Sequence, residues 1–295
     1  MEIQHYSNKK SFYPTFSAGV TKVILKEIEN TDTIAISNKL LKNGIKSDFD
    51  NNKTIAWCCN KVVELINFIN KKYKMGFELP KGVYVKDFEK LNVDDNKIRA
   101  FCNLRPFELY KGSEEIVPSR TLFFNNFKSI KQNMLTENRF FYDWKNIDEI
   151  SDLTYDIKHS PTDFFLDTFF HEFAHAIHES RLIKKLGAGE LSKKLDFIES
   201  VENTERYREK YGDRIKQICK YALKDQMEAV ACDMSKTISE SLDKNTIRPN
   251  KHPFVDTAFE KLFFWQPKRI KIPVYSDEER PLTEIIRNFW NGDFK

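Results

Sequence analysis

Residues 162–186 read TDFFLDTFFHEFAHAIHESRLIKKL, and this stretch predicts a single long helix. Thr162 can cap the helix, Asp163 favours its positively polarised first turn, and Gly187 follows as a stop signal. The centre of the helix is flanked by uncharged residues: Phe169, Phe170, Phe173, Ala174, Ala176 and Ile177. Such an apolar sheath keeps the local dielectric constant low around the polar side chains that it encloses.

The enclosed polar residues are His171, Glu172 and His175, in the pattern His-Glu-x-x-His. Residues four apart on a helix lie on one face about 5–6 Å apart, so the two imidazoles can bind one metal ion. Glu172 is rotated by about 100° from His171 and can reach a water on that ion. The alternative is that His171 and His175 are ordinary helix residues, but three of the six histidines fall within eight residues here. The sequence therefore predicts one Zn²⁺ per chain, with Glu172 as catalytic base.

A catalytic zinc site needs a third protein ligand. His178 lies seven residues after His171, about 10 Å along the axis, so we expect it to pack near the site without binding the ion. Glu228 is favoured as the third ligand, because the small residues beside it would let its helix pack closely against the His-Glu-x-x-His helix. Glu199, Glu202 or a site without a protein carboxylate are the alternatives.

The stretch 221–231, YALKDQMEAVA, is predicted to lie on a helix of about residues 215–242. On such a helix Tyr221 and Glu228 are seven residues apart and share a face. The phenol of Tyr221 could then stabilise the oxyanion that forms when water attacks a carbonyl. The alternative is that Tyr221 is a packing residue.

These residues resemble the family that contains the catalytic domain of anthrax lethal factor and the clostridial Pro-Pro endopeptidases, over about residues 164–236. The resemblance implies a zincin-like metallopeptidase fold of the gluzincin type. It also implies that His171, His175 and Glu228 bind zinc and that Glu172 and Tyr221 are catalytic. Peptide-bond hydrolysis in a protein or peptide substrate is the activity that it implies.

The chain departs from the gluzincin pattern at one position. Such enzymes often carry an acidic residue four positions after the third ligand, where it orients a histidine, and Cys232 stands there instead. Asp225 or Asp233 could take that role.

The rest of the chain predicts an α+β domain with helices on one side of a small mixed sheet. Residues 1–50 are interpreted as an N-terminal extension or cap, and residues 51–295 as the catalytic domain, with 246–295 packed onto it. The predicted elements before the motif are a helix at 53–73 and strands at 83–88, 99–103 and 120–124. Those after it are partial helix at 193–214, a helix near 255–265, a strand near 270–275 and a last helix from Thr283.

Composition limits the partners that we expect. Lysine and arginine number 48 and aspartate and glutamate 44, a small excess that does not indicate a nucleic-acid-binding protein. No stretch approaches the ~20 apolar residues of a membrane span. The N-terminus lacks the apolar run of a secretory signal, so we expect a cytoplasmic protein, or one exported by another route. The five cysteines form no Cys-x-x-Cys pair and are expected to be reduced thiols.

The sequence thus predicts a zinc-dependent endopeptidase, with a non-catalytic zinc-binding adaptor on the same scaffold as the alternative. Residues 120–126 are a candidate edge strand on which an extended substrate could lie, or else an inner strand. The aromatic and basic residues at 263–271 are expected to form a packed helix followed by a solvated turn. The alternative is that they form a surface that binds nucleic acid. His252, before Pro253, is expected to lie outside the cleft, and a place in the cleft is the alternative.

Overall fold

The computed structural model describes residues 26–88, 91, 100–109, 114–126, 161–216, 218, 221–246 and 281–294. Several predictions lie outside these residues: those for residues 1–25, for Cys219 and His252, and for the helix, strand and basic aromatic segment between 255 and 275. The described elements before the motif are α1 (Thr33–Lys42), β1 (Lys46–Asp48), α2 (Lys53–Tyr73), β2 (Gly82–Lys86), β3 (Ala100–Asn103), β4 (Phe107–Glu108), β5 (Ile116–Val117) and β6 (Thr121–Asn125). Those after it are α3 (Pro161–Leu186), α4 (Ala188–Ile198), α5 (Val201–Ile215), a 3₁₀ turn (Tyr221–Leu223), α6 (Gln226–Thr246) and α7 (Pro281–Trp290).

The main sheet has the strand order β1-β2-β6-β3, in which β3 alone runs antiparallel to its neighbour. Strand β6 is an inner strand, because Phe123 pairs with Tyr84 on one side and with Phe101 on the other. The prediction that residues 120–126 form an edge for substrate is therefore wrong, since both neighbours already use the hydrogen-bonding groups of β6. Among the described strands, β3 is the edge on this side of the sheet.

The two faces of the sheet pack against different layers. Alternate residues such as Val83 and Phe124 face α2 and α3, and the ring of Phe124 stacks on that of Phe169 with centroids 4.6 Å apart. The residues between them face the short β4–β5 ribbon, where Phe123 stacks on Phe101 at 5.0 Å. The described residues thus combine helices with a small mixed sheet, as the predicted α+β class requires.

The described part of residues 1–50 contributes to this same core. Leu40, Ile45 and Phe49 are buried in the cluster that α2 and α3 share, and β1 pairs with β2. Asn52 caps the N-terminus of α2: its side chain accepts a hydrogen bond from the N–H of Ile55.

The helices after the sheet differ from the prediction in two ways. Helices α3 and α7 begin at Pro161 and Pro281, so Thr162 and Thr283 stand one and two positions inside them and not at the predicted cap position. Proline favours the first helical position, where its missing N–H is not needed. The predicted helix over 215–242 is interrupted: α5 ends at Ile215, and a 3₁₀ turn precedes α6. In the part of the chain described here, no helix combines the length and apolar character needed to cross a membrane.

Candidate metal centre

Three buried donor atoms converge between α3 and α6. The Nε2 atom of His171 lies 2.9 Å from Oε2 of Glu228, and the Nε2 atom of His175 lies 3.1 Å from the same oxygen. The two Nε2 atoms are 3.1 Å apart. These three residues, each less than a tenth exposed, form a group that could hold a metal ion, as the sequence predicted.

The packing of α3 against α6 brings the donors together. Ala231 on α6 is fully buried in the cluster that contains Phe169 and Phe173 of α3, so the two backbones approach closely. Glu228 lies in the first turn of α6, where its backbone N–H donates to Oδ1 of Asp225 at 2.9 Å. The cap therefore fixes the point at which the carboxylate enters the site.

The donor set fits a small divalent cation. Imidazole nitrogen and carboxylate oxygen bind such ions at about 2.0–2.2 Å, which places two ligand atoms of a tetrahedral site roughly 3.3 Å apart. The observed spacings are slightly shorter. Burial raises the pKa of Glu228, but His175, His171 and Lys224 outweigh it and hold this pKa well below its usual value, so the carboxylate is ionised and able to bind a cation.

The other oxygen of Glu228 is held by two donors. Its Oε1 atom accepts a hydrogen bond from the hydroxyl of Tyr221 at 3.1 Å and one from Nζ of Lys224 at 3.0 Å. Glu228 thus directs one oxygen to the histidines and the other to Tyr221 and Lys224.

Tyr221 is at the site, although the helix that predicted it is interrupted. The 3₁₀ turn, and not a continuous helix, places its ring 5.8 Å from that of His171. Burial first, and then the charges of Glu228 and Glu172, raise the pKa of Tyr221 above its usual value. The phenol therefore keeps its proton and remains a hydrogen-bond donor.

Glu172 is 6% exposed and lines the same cavity as the three donors. Within the described residues its carboxyl group makes no hydrogen bond or ion pair. Burial raises the pKa of Glu172 above its usual value, while the charges of His171 and His175 act in the opposite direction. A carboxyl group with a raised pKa and unused oxygens is suited to accept and release a proton.

The cavity has a volume of about 370 Å³, within the range of small-ligand pockets. Strand β3 and the residues after it form one wall, where Arg105 pairs with Asp196 at 2.8 Å and with Glu199 at 3.1 Å. Glu199, an alternative third ligand, therefore points to Arg105, and Glu202 is exposed to solvent. Neither belongs to the group of donors.

The Nδ1 atoms of the two histidines are where the acidic residue of the gluzincin pattern would bind. The Sγ atom of Cys232 lies 3.8 Å from Nδ1 of His171, and Nδ1 of His175 has no hydrogen-bond partner among the described residues. Asp225 orients Glu228 through its backbone, as described above, and a role for Asp233 stays a prediction.

His178 packs near the site, as expected. Its Nε2 atom lies 3.1 Å from the carbonyl oxygen of Phe289, and its ring stacks on Trp290 with centroids 5.1 Å apart. Burial lowers the pKa of His178 to about 3, so the ring is neutral and donates to that carbonyl.

Sequence reasoning missed Lys224. Its position four residues before Glu228 is the spacing of a helical ion pair, and that signal could have drawn attention to it.

No model of a known protein family, no characterised protein and no solved structure matches this chain. Function must therefore be inferred from the site itself.

Proposed function

We propose that this protein is a zinc-dependent endopeptidase that hydrolyses peptide bonds of a protein or peptide substrate, on a zincin-like fold of the gluzincin type. One observation carries the proposal: three convergent donors share a single cavity with Glu172 and Tyr221. A metal site that only stabilises the fold needs neither a buried carboxyl group without hydrogen bonds nor a phenol beside it.

Zinc is the ion that the donor chemistry favours. Two imidazoles and one carboxylate form a three-ligand set that is typical of catalytic zinc, whereas Mg²⁺ and Ca²⁺ prefer sites made of oxygen atoms. Bound there by His171, His175 and Glu228, zinc would supply the Lewis acidity that makes a water nucleophilic at neutral pH.

Glu172 is the group that handles the proton. Its carboxylate takes a proton from the attacking water and passes it to the nitrogen of the leaving amine. The low exposure of Glu172 favours this role, because burial raises the pKa of its carboxyl group toward the working pH.

Tyr221 is the donor to the developing charge. Its hydroxyl can turn from Oε1 of Glu228 to the oxygen of the scissile carbonyl, where negative charge appears as water attacks. The raised pKa of Tyr221 keeps the phenol protonated for this hydrogen bond.

Strand β3 is the support that we propose for the substrate. It is the edge strand nearest the site among the described strands, and Ala100, Phe101 and Cys102 line the cavity. An extended peptide can pair with such an edge through main-chain hydrogen bonds and thus cross the cavity beside the three donors.

Glu172→Gln tests the proposal. The wild type should contain one zinc per chain and should cleave a peptide library in a chelator-sensitive way. The variant should retain zinc and lose about 10²- to 10⁴-fold in rate, the usual contribution of general acid–base catalysis. Glu205→Gln, the same change at an exposed position on α5, is the control and should match the wild type.

Two results would contradict the proposal. Full activity in Glu172→Gln would exclude the mechanism. A wild type that binds zinc yet cleaves no peptide would favour the non-catalytic adaptor.

A further inference from the structure

Lys224 makes an unusual set of contacts for a half-exposed lysine. Its Nζ atom lies 3.0 Å from Oε1 of Glu228 and 3.4 Å from the hydroxyl of Tyr221. The side chain of Lys224 is 56% exposed, whereas that of Glu228 is only 10% exposed. The lysine therefore reaches from the surface and places its charge on a buried carboxylate.

Oε1 of Glu228 accepts hydrogen bonds from two donors, and it must keep one of them when the other turns to the substrate. Tyr221 carries a single O–H donor, so it cannot serve Oε1 and a substrate oxygen at the same time. A buried carboxylate oxygen that loses its hydrogen bonds costs free energy. An ammonium group has three donors and can keep Oε1 bonded while Tyr221 turns away.

The same contact limits how Glu228 can bind an ion. With Oε1 engaged by Lys224, Oε2 alone faces the two histidines. We propose that Lys224 is a positioning residue that holds Oε1 of Glu228, which leaves Oε2 as the single metal ligand and frees the Tyr221 hydroxyl for the substrate. This inference rests on the proposed zinc endopeptidase.

Metal binding provides the first test. Lys224→Met removes the charge and the donors at similar length, and Lys224→Arg keeps both. We expect the Met variant to bind zinc about 10- to 100-fold more weakly, as is usual when a partner of a ligand is removed, and the Arg variant to stay near the wild type. Lys39→Met is the control, because Lys39 forms an exposed ion pair with Glu64 on α2, away from the cavity.

The Co²⁺-substituted protein gives a readout that a purely structural role would not change. Lys224→Met leaves Oε1 with the single hydrogen bond from Tyr221, so whenever that hydroxyl turns away both carboxylate oxygens can reach the ion. The higher coordination number weakens the visible absorption of Co²⁺. We expect weaker absorption in Lys224→Met only. If that variant does not fold, Lys224→Gln, which also lacks the charge, replaces it in every measurement.

Kinetics test the link to Tyr221. Lys224→Met should lower kcat about 10- to 100-fold with little change in KM, because the lysine acts through Glu228 and Tyr221. In a Tyr221→Phe background there is no hydroxyl to release, so the same substitution should lower kcat much less.

The outcomes separate the two proposals. If Lys224→Met matches the wild type in zinc affinity, Co²⁺ absorption and kcat, Lys224 is only a surface ion pair and the inference fails, while the endopeptidase stands. If the wild type cleaves no peptide, the endopeptidase fails, and zinc affinity with Co²⁺ absorption still decides whether Lys224 positions Glu228.

Discussion

Glu228→Gln is the substitution that most directly tests the metal centre. Oε2 of Glu228 is one of three donors that lie within 2.9–3.1 Å of one another. Four-ligand zinc sites bind with about 10–16 kcal/mol, or roughly 2.5–4 kcal/mol per ligand. Exchange of the carboxylate for a neutral amide should therefore weaken zinc binding about 10²- to 10³-fold.

Competition with a chromophoric chelator measures this loss, together with the zinc content after dialysis. Glu199→Gln is the matched control, because it is the same change at another glutamate that lines the cavity. Its carboxylate pairs with Arg105, so this variant should keep the affinity of the wild type. Equal zinc affinity in Glu228→Gln and the wild type, or an equal loss in Glu199→Gln, would refute the assignment of the third ligand.

Two further predictions concern Tyr221 at the candidate metal centre and the buried Glu179 on α3. Tyr221→Phe should lower kcat by about 10²-fold while the zinc content is unchanged, as steady-state kinetics and metal analysis can measure, and an unchanged kcat would make Tyr221 a packing residue. Glu179 is 1% exposed, and burial raises its pKa from 4.5 to about 7. The unfolded state ionises this carboxyl group at a lower pH than the native state, so Glu179 contributes a loss of stability to the wild type between about pH 4.5 and 7. The stability of Glu179→Gln relative to the wild type should therefore be up to about 3 kcal/mol greater at pH 8 than at pH 4. Urea unfolding at both pH values measures the difference, and a pH-independent difference would show that Glu179 does not titrate in this range.

Local patterns predicted most elements of the fold. Strands β2, β3 and β6 lie within two residues of the predicted positions, because flanking turn residues mark all three in the sequence. Alternating residues indicate β2, whereas β-branched and aromatic residues indicate β6. The order of the strands was not predictable in the same way. Residues 121–125 are all buried, and such a run does not show whether one or two neighbours pair with it.

The site combines a local and a non-local part. His171 and His175 were predictable because four-residue spacing on a helix fixes their geometry. The prediction of Tyr221 rested on a continuous helix, yet a 3₁₀ turn brings its hydroxyl to Glu228. Seven-residue spacing on a helix therefore indicated a pair that a different local structure brings together. The 3₁₀ turn is held by α5, whose Tyr207 and Arg208 side chains donate to the carbonyl oxygens of Ala222 and Leu223. Lys224 lies three residues after Tyr221 and four before Glu228, which are spacings of helical neighbours, but here the chain that follows the 3₁₀ turn makes both contacts.

The non-local part explains why a cation would matter to the fold. His175 and Glu228 are 53 residues apart in the chain, and neither segment alone brings three donors together. Ala231 of α6 and Phe169 of α3 pack in one cluster, and this packing sets the distance between the two helices. It leaves three atoms that carry lone pairs about 3 Å apart. Protons shared between these atoms can relieve only part of the repulsion between the lone pairs. A divalent cation replaces that repulsion by attraction to every donor, so its binding energy adds to the folding energy. The ion would thus stabilise the contact between α3 and α6, on which both the core and the proposed chemistry depend.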